Sequence, residues 1–287
     1  MADVPVPGPA LTGRSGDDAR ASRSDPLDDP GAAIAAAIPP DVRELLETLW
    51  RAGHAAYVVG GSVRDVLLGR PVHDWDLATD ARPERIQALF PGSVYENPFG
   101  TVGVRRGDAV HEVTTFRSEH DYADFRRPHR VEFGDTIELD LARRDFTVNA
   151  IAWGAAPRRP DDGRRTALAE PTGPEAPGVS EAPGIAQAPG AAEAPGAAEA
   201  PRIVEAPRIV DPHGGLDDLR RRLLRTVGPP EERFREDALR LVRAVRLAAQ
   251  LGFAIEPRTL AAIRACAGLV RYLSAERVGA ARPRVVP

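Results

Sequence analysis

Asp74, Trp75 and Asp76 set two carboxylates two residues apart. On a strand, positions i and i+2 share a face, so both acids point one way while Trp75 and Leu77 turn into apolar packing. Like charges side by side repel unless a cation lies between them. Mg2+ takes carboxylate oxygens and leaves positions open for phosphate oxygens. Glu112, in the run His111–Arg117, shares a face with Thr114 and Phe116 and is placed to add a third carboxylate from a neighbouring strand. Each signal has a plainer reading: a solvated acidic turn for Asp74 and Asp76, an exposed strand position for Glu112.

Gly60-Gly61-Ser62-Val63-Arg64-Asp65 follows a short apolar strand and opens a helix. Glycines there let a ligand approach the backbone, and helix N-terminal amides attract anions. Arg64 adds a charged fork for a phosphate. A tight strand–helix turn also needs glycine for steric reasons alone. Taken together, a phosphate cradle, a carboxylate triad and two metal ions suit in-line attack of a hydroxyl on an α-phosphate. One ion would lower the pKa of the attacking hydroxyl, and the other would neutralise charge on the leaving pyrophosphate.

The surrounding pattern supplies the elements that hold these groups. Asp41–Ala52 reads as a helix capped by Asp41, with Val42, Leu45, Leu46 and Leu49 on one face and Gly53 as its stop. A strand at 57–59, a helix at 62–68, a strand at 75–78 and a helix at 83–90 follow. Strands at 101–105 and 109–116 meet at Gly107-Asp108, and 146–153 is a further apolar segment. Helices are expected at 216–221, 231–251 and 257–267. In the longest of them Phe234, Ala238, Leu241, Val245 and Ala248 form the apolar face. Alternating helices and strands predict a small α/β layer fold. Trp50, Trp75 and Trp153 are expected in the core, with Cys266 as a small buried residue. His54, His73, His111, His120, His129 and His213 show no metal-ligand spacing.

These motifs resemble the class II tRNA nucleotidyltransferase and poly(A) polymerase family of the polymerase β-like superfamily. The resemblance is carried by YVVGGSVRDVLLGR (57–70), HDWDLATDA (73–81), HEVTTFR (111–117), ARRDFTVNAIAW (142–153), DPHGGLDDL (211–219) and ERFREDALRLVRAVRLAAQLGF (232–253). It implies a polymerase β-like palm as head domain and an α-helical neck behind it. It also implies that Gly60, Gly61 and Arg64 bind a triphosphate and that Asp74, Asp76 and Glu112 hold two Mg2+ ions. Arg143 and Arg144, Arg144 foremost, would contact the nucleotide; the bland alternative is a strand-edge salt bridge to Asp140 or Asp145. Asp237, Arg240, Arg243 and Arg246 match the nucleotide-reading helix.

The chemistry of that helix can be worked out independently. Asp237 and Arg240, at i and i+3 on one helix, are neighbours. A carboxylate accepts from the exocyclic amine shared by A and C, and a guanidinium donates to the ring nitrogen beside it. U and G present the opposite polarity. Arg243 and Arg246 wind away and can reach phosphates. Surface pairing on an amphipathic helix is the alternative, but arginines spiralling along a mostly apolar helix require buried anions.

The implied activity is Mg-dependent addition of CMP and AMP from CTP and ATP to the tRNA 3′ end. Poly(A) polymerase and CC-only or A-only enzymes share every motif. A nucleotide- or RNA-binding homologue without turnover and a small-substrate transferase are the rivals from other classes.

Composition sets the frame. The chain has 287 residues, 43% hydrophobic and 28% charged, with net charge -4. A bulk polycation is excluded, a local basic stripe is not. All 38 basic residues are arginine, and a single cysteine excludes a disulfide framework. With no apolar run long enough to span a bilayer, a cytoplasmic protein without a membrane segment is expected. The expected organisation is a disordered leader (1–40), a catalytic domain (41–153), an Ala/Pro-rich insert (154–209), a helical nucleotide-reading region (210–278) and a disordered tail (279–287). From Ala176 the insert repeats every six residues, as APGVSE, APGIAQ and APGAAE. Its alanines cannot fill a solenoid core, so an extended linker is expected. Past Ser274–Arg277 the sequence leaves the family's helical pattern, as a truncated or frameshifted product or a fragment would.

Overall fold

The computed structural model describes residues 25–97, 100–123, 127–157 and 205–273. The hexapeptide repeat and the tail lie outside the described residues. A seven-stranded mixed sheet organises the head. Its strands are β1 (Ala56–Val59), β2 (Asp76–Thr79), β3 (Val94–Asn97), β4 (Thr101–Arg106), β5 (Ala109–Thr115), β8 (Ala152–Ala155) and β9 (Arg208–Val210), in the order β3-β4-β5-β2-β1-β8-β9. β6 (Arg117–Ala123) and β7 (Arg127–Phe133) form a separate hairpin. All neighbours in the large sheet are antiparallel except β2 and β5, which run parallel with Leu77 beside Val113.

Helices cover one face: α1 (Pro30–Ala37), α2 (Pro40–Arg51), α3 (Gly61–Leu67) and α4 (Pro83–Leu89). Val42, Leu45, Leu46 and Leu49 of α2 are all buried, as the 3,1,3 spacing predicts. They pack with Val58, Leu77, Val113 and Trp153 in the main core. On the opposite face Tyr57, Val59 and Ala78 meet Phe116 together with Ile137 and Leu141 of α5 (Ile137–Ala142).

The helical region follows as α6 (Gly215–Arg221), α7 (Pro230–Glu236), α8 (Leu239–Leu251) and α9 (Pro257–Cys266), with β10 (Leu223–Leu224) pairing β11 (Ala254–Ile255). Ala244 and Ala248 of α8 and Phe253 belong to the main core, so α8 is packed directly on the head. No helix among the described residues is long and apolar enough to cross a membrane.

Several expectations change. Residues 25–38, assigned to a disordered leader, include α1, capped by the Asp29 side chain on the Ala32 amide. Ile34 is fully buried and Ile38 nearly so. Their burial supplies the stabilisation that a polar, Pro-rich composition does not suggest. Asp41 does not cap α2; it lies in the first turn and pairs with His111 at 2.7 Å. The insert's expected span includes parts of β8 and β9, which are neighbours in the sheet, and the Glu205 amide donates to the Ala156 carbonyl at 3.2 Å. The chain therefore leaves and re-enters the sheet at one place.

The expected helix 231–251 is two helices. Asp237 is extended (φ -139°, ψ 107°), and its carboxylate accepts from the Leu239 amide at 3.0 Å. A short carboxylate competing for a nearby backbone amide ends α7 and starts α8. The break also shifts the buried face: Val245 is 56% exposed, and Ala244 takes the buried place.

Gly154 of β8 sits over β1, where an added Cβ would meet the Ala56 carbonyl oxygen and approach Tyr57 Cα to 2.7 Å. Gly154→Ala should therefore destabilise the fold by about 1–3 kcal/mol through overpacking. Urea unfolding measures it, and an unchanged midpoint would show that β1 and β8 can separate freely.

Candidate active site

The turn from β1 into α3 is built on Gly60, whose φ of +79° suits glycine. A Cβ there would also lie 2.7 Å from Arg144 Nη1. This glycine thus admits an arginine against the backbone at the mouth of the turn. Arg64 lies on the next turn, with Nε and Nη2 donating to Asp65 at 3.0 and 2.8 Å and Nη1 donating to Asn149 Oδ1 at 2.6 Å.

Asp74 and Asp76 stand opposite. Only Asp76 is on β2, so the shared-face argument does not describe Asp74, which precedes the strand. Trp75 and Leu77 are buried as expected, at 8% and 1% exposure. Neither acid has a hydrogen bond or ion pair among the described residues, and both line the same cleft. Surrounding protein raises the Asp76 carboxyl above its ordinary value; Arg144 pulls it down and Asp74 pushes it further up.

Glu112 does not line this cleft. It is on β5, one residue before the Leu77–Val113 pairing, which sets it beside Asp76 on the face opposite the main core. Among the described residues no three metal-capable side chains gather into one group. The structure therefore brings Asp74 and Asp76 together in the cleft but does not gather Glu112 with them, which stays on the adjoining strand.

Arg143 and Arg144 follow α5, and both reach back to Asp140, at 2.7 and 3.1 Å. The expected strand-edge pairing is instead a helix C-terminal clamp on a carboxylate with no solvent exposure. Burial alone would raise the Asp140 carboxyl, but the charges and hydrogen bonds of Arg143 and Arg144 outweigh it and hold it low. Asp145 is similar: burial raises it, while Arg243, Asn149 and the Phe146 amide lower it. Arg243 donates to Asp145 Oδ2 through Nε at 2.8 Å.

The helical region closes the cleft, which encloses about 660 Å³. Asp237, Arg240, Arg243 and Arg246 all line it together with Gly60, Gly61, Arg64, Asp74, Asp76, Arg143 and Arg144. Asp237 arrives by the helix break, not by an i,i+3 helical face. Arg240 is 7% exposed, with Nη1 on Glu236 at 2.5 Å and Nη2 on the Arg143 carbonyl at 3.0 Å. Of the three arginines on α8, Arg243 has a buried anion in Asp145, while Arg240 pairs with the half-buried Glu236. Arg246 is set apart and donates to Gln250 at 3.3 Å. Asn149 and Glu236 were not singled out from sequence. Asn149 lies within the motif ARRDFTVNAIAW (142–153) and Glu236 within ERFREDALRLVRAVRLAAQLGF (232–253), but neither is assigned a role there.

A mixed sheet bearing a strand–Gly-Gly–helix turn beside an acid pair is the head domain of a nucleotidyltransferase. Residues 56–162 match the model of the poly A polymerase head domain, and residues 252–280 that of the probable RNA and SrmB-binding site of polymerase A. Similar proteins include the CCA-adding enzyme of Geobacillus stearothermophilus, 40% identical over 82% of this chain and 46% of its own. That of Levilactobacillus brevis is also 40% identical, over 82% and 47%. A crystal structure of the Bacillus stearothermophilus CCA-adding enzyme in complex with CTP superposes with a TM-score of 0.61 at 35% identity, covering 85% of this chain and 48% of that one. Over the matched residues the chain is similar to CCA-adding enzymes and to poly A polymerase head domains, and it spans about half the length of the relatives it matches.

Because the Asp140 carboxyl is lowered on folding, its clamp contributes stability above the unfolded carboxylate pKa, near 4, and loses it as pH falls through the lower folded value. Urea unfolding between pH 7 and pH 2.5 should show this loss. Asp140→Asn should flatten that part of the profile and cost about 3 kcal/mol at pH 7. A variant with the wild-type slope would exclude Asp140 as the titrating group.

Proposed function

We propose that this cleft transfers nucleotides from CTP and ATP to the 3′ end of tRNA. The observation that carries the reading is the convergence, in one cleft, of a phosphate-cradling turn, two unpartnered carboxylates and an Asp–Arg edge. Gly61 leaves backbone open to the phosphates, Gly60 lets Arg144 sit against the turn, and Arg64 and Arg144 together neutralise them. Asp237 accepts from the exocyclic amine of C or A, while Arg240 donates to the adjacent ring nitrogen; a U or G would face a carbonyl with a carboxylate. Arg240 is held for this by Glu236 and the Arg143 carbonyl. Exclusion of the wrong base then needs no template.

Asp74 and Asp76 are two hard oxygen donors in one cleft, the charge of Asp74 helping to raise the Asp76 carboxyl, and that arrangement fits a divalent cation such as Mg2+. Glu112, beside Asp76, is the third carboxylate of the set. When bound, the ions would activate the RNA 3′-hydroxyl and offset charge on the leaving pyrophosphate. The single cysteine fits a reducing, cytoplasmic setting.

The poly A polymerase head-domain match favours a second reading, in which the same cleft adds a run of AMP. Purified chain incubated with tRNA lacking its terminal nucleotides, and with each labelled triphosphate in turn, separates the two. CC or CCA ends support the first reading, a long A tail the second, and no product overturns both.

Asp74→Asn or Asp76→Asn should cut incorporation by about 10²–10³-fold with the fold intact, as loss of charge stabilisation in the transition state does. Ordinary turnover in either variant would remove the metal assignment. Asp237→Ala should narrow the preference for CTP over UTP by about tenfold, the scale of one hydrogen bond to a charged group. Unchanged rejection of UTP would exclude Asp237 from base reading.

A further inference from the structure

We propose that Asn149 is a positioning residue that sets the guanidinium of Arg64 and ties it to the helix next to Asp237 and Arg240, so that gripping the triphosphate and reading the base are joined. This rests on the nucleotide reading of the cleft given above. Asn149 is 8% exposed, at the end of a single 3-10 turn, Thr147–Asn149. Its amide faces two ways. Oδ1 accepts from Arg64 Nη1 at 2.6 Å, and Nδ2 donates to Asp145 Oδ1 at 3.0 Å. The other oxygen of Asp145 holds Arg243 of α8, with Nη2 at 2.6 Å. A continuous run therefore leads from Arg64 through Asn149 and Asp145 to Arg243, bridging the start of α3 and the side of α8.

The chemistry of the run leaves little choice at position 149. A guanidinium requires an acceptor and a carboxylate requires a donor, and an amide is the neutral side chain that offers both on one short stem. Asp65 already takes Nε and Nη2 of Arg64, so the Asn149 bond to Nη1 fixes the last nitrogen and stops the fork from swinging. Alanine would free that nitrogen and leave Asp145 one donor short.

Asn149→Asp makes the requirement measurable. A protonated carboxyl copies the amide: its carbonyl accepts from Arg64 and its O–H donates to Asp145. Once ionised it faces the Asp145 carboxylate at hydrogen-bonding distance, and the two repel. The charged groups facing the new carboxyl would be Arg64 and Asp65 from α3, Arg144 and Asp145 from the segment after α5, and Arg243 from α8. The variant should therefore work in acid and fail as pH rises.

The test is calorimetric titration of the full chain with inorganic tripolyphosphate, CTP and UTP in the presence of Mg2+, at pH 5.5 and pH 8. Each variant is expressed relative to wild type at the same pH, which cancels ionisation of the ligand. Asn149→Ala is expected to bind tripolyphosphate about tenfold more weakly at both pH values, and to narrow the preference for CTP over UTP. Asn149→Asp is expected to match wild type at pH 5.5 and to fall about tenfold below it at pH 8. Wild-type tripolyphosphate binding by Asn149→Ala would overturn the proposal, and so would an Asn149→Asp ratio that does not change with pH. If the alanine variant fails to fold, the pH comparison within the aspartate variant decides. Wild-type protein that binds none of the three ligands would instead overturn the nucleotide reading itself, and this proposal with it.

Discussion

Two carboxylates withdrawn from water govern the cleft. Asp140, fully buried, holds Arg143 and Arg144, and Asp145, 8% exposed, holds Arg243. An ionised acid in such a place is costly unless its lone pairs are met by charge and hydrogen bonds together. Here they are met: Asp140 by two guanidinium groups, Asp145 by a guanidinium, the Asn149 amide and the Phe146 backbone amide. The geometry works in both directions. The acids remain ionised because arginines surround them, and the arginines keep one orientation because the acids are immobile. The proposed triphosphate site would gain from this, since long flexible side chains would otherwise have to be ordered when the ligand arrives.

The two acids also divide the molecule's work. Asp140 is anchored at the end of α5 and serves the head alone. Asp145 opens the turn that leads into β8, and its partner Arg243 comes from α8, beyond the insert. The ion pair therefore spans two regions far apart in sequence. The buried faces of Ala244 and Ala248 make the same junction in apolar terms. Long insertions at a surface site cost little in loop-closure entropy, since that cost grows only logarithmically with length. With the insert leaving and re-entering at adjacent sheet strands, β8 and β9, this junction can form regardless of how many residues lie between them.

Much of this was legible because hydrophobic period and polar chemistry agree over short spans. The apolar face of α2, the glycine-bounded strand β1 and the Pro-started α9 follow from local rules. The failures have a common cause, which is that a tertiary partner overrode a local pattern. Phe234, Ala238 and Leu241 keep helical spacing and are all buried, so nothing in their period reveals that Asp237 breaks the helix between them. The break is chosen by a carboxylate bonding to its neighbour's amide, and its cost is met because Phe234 and Leu241 still share a core with Ala262 and Cys266 of α9. The β6–β7 hairpin went unseen because its residues carry charge and histidine where alternation would need apolar side chains. α1 was lost in a Pro- and Asp-rich leader, although Asp29 before Pro30 is an ordinary helix-start signal.

The same override also sets Asp237 and Arg240, the pair proposed to read the base, differently from the unbroken helix that the sequence predicts. The kink at Asp237 turns its carboxylate onto the Leu239 amide, and Arg240 is taken by Glu236 from the preceding turn and by the Arg143 carbonyl. The break thus gives Asp237 a backbone partner, and the head gives Arg240 one. Under the proposed reading, an acceptor and a donor oriented in this way would reject a mismatched base through the unpaired polar groups it leaves behind.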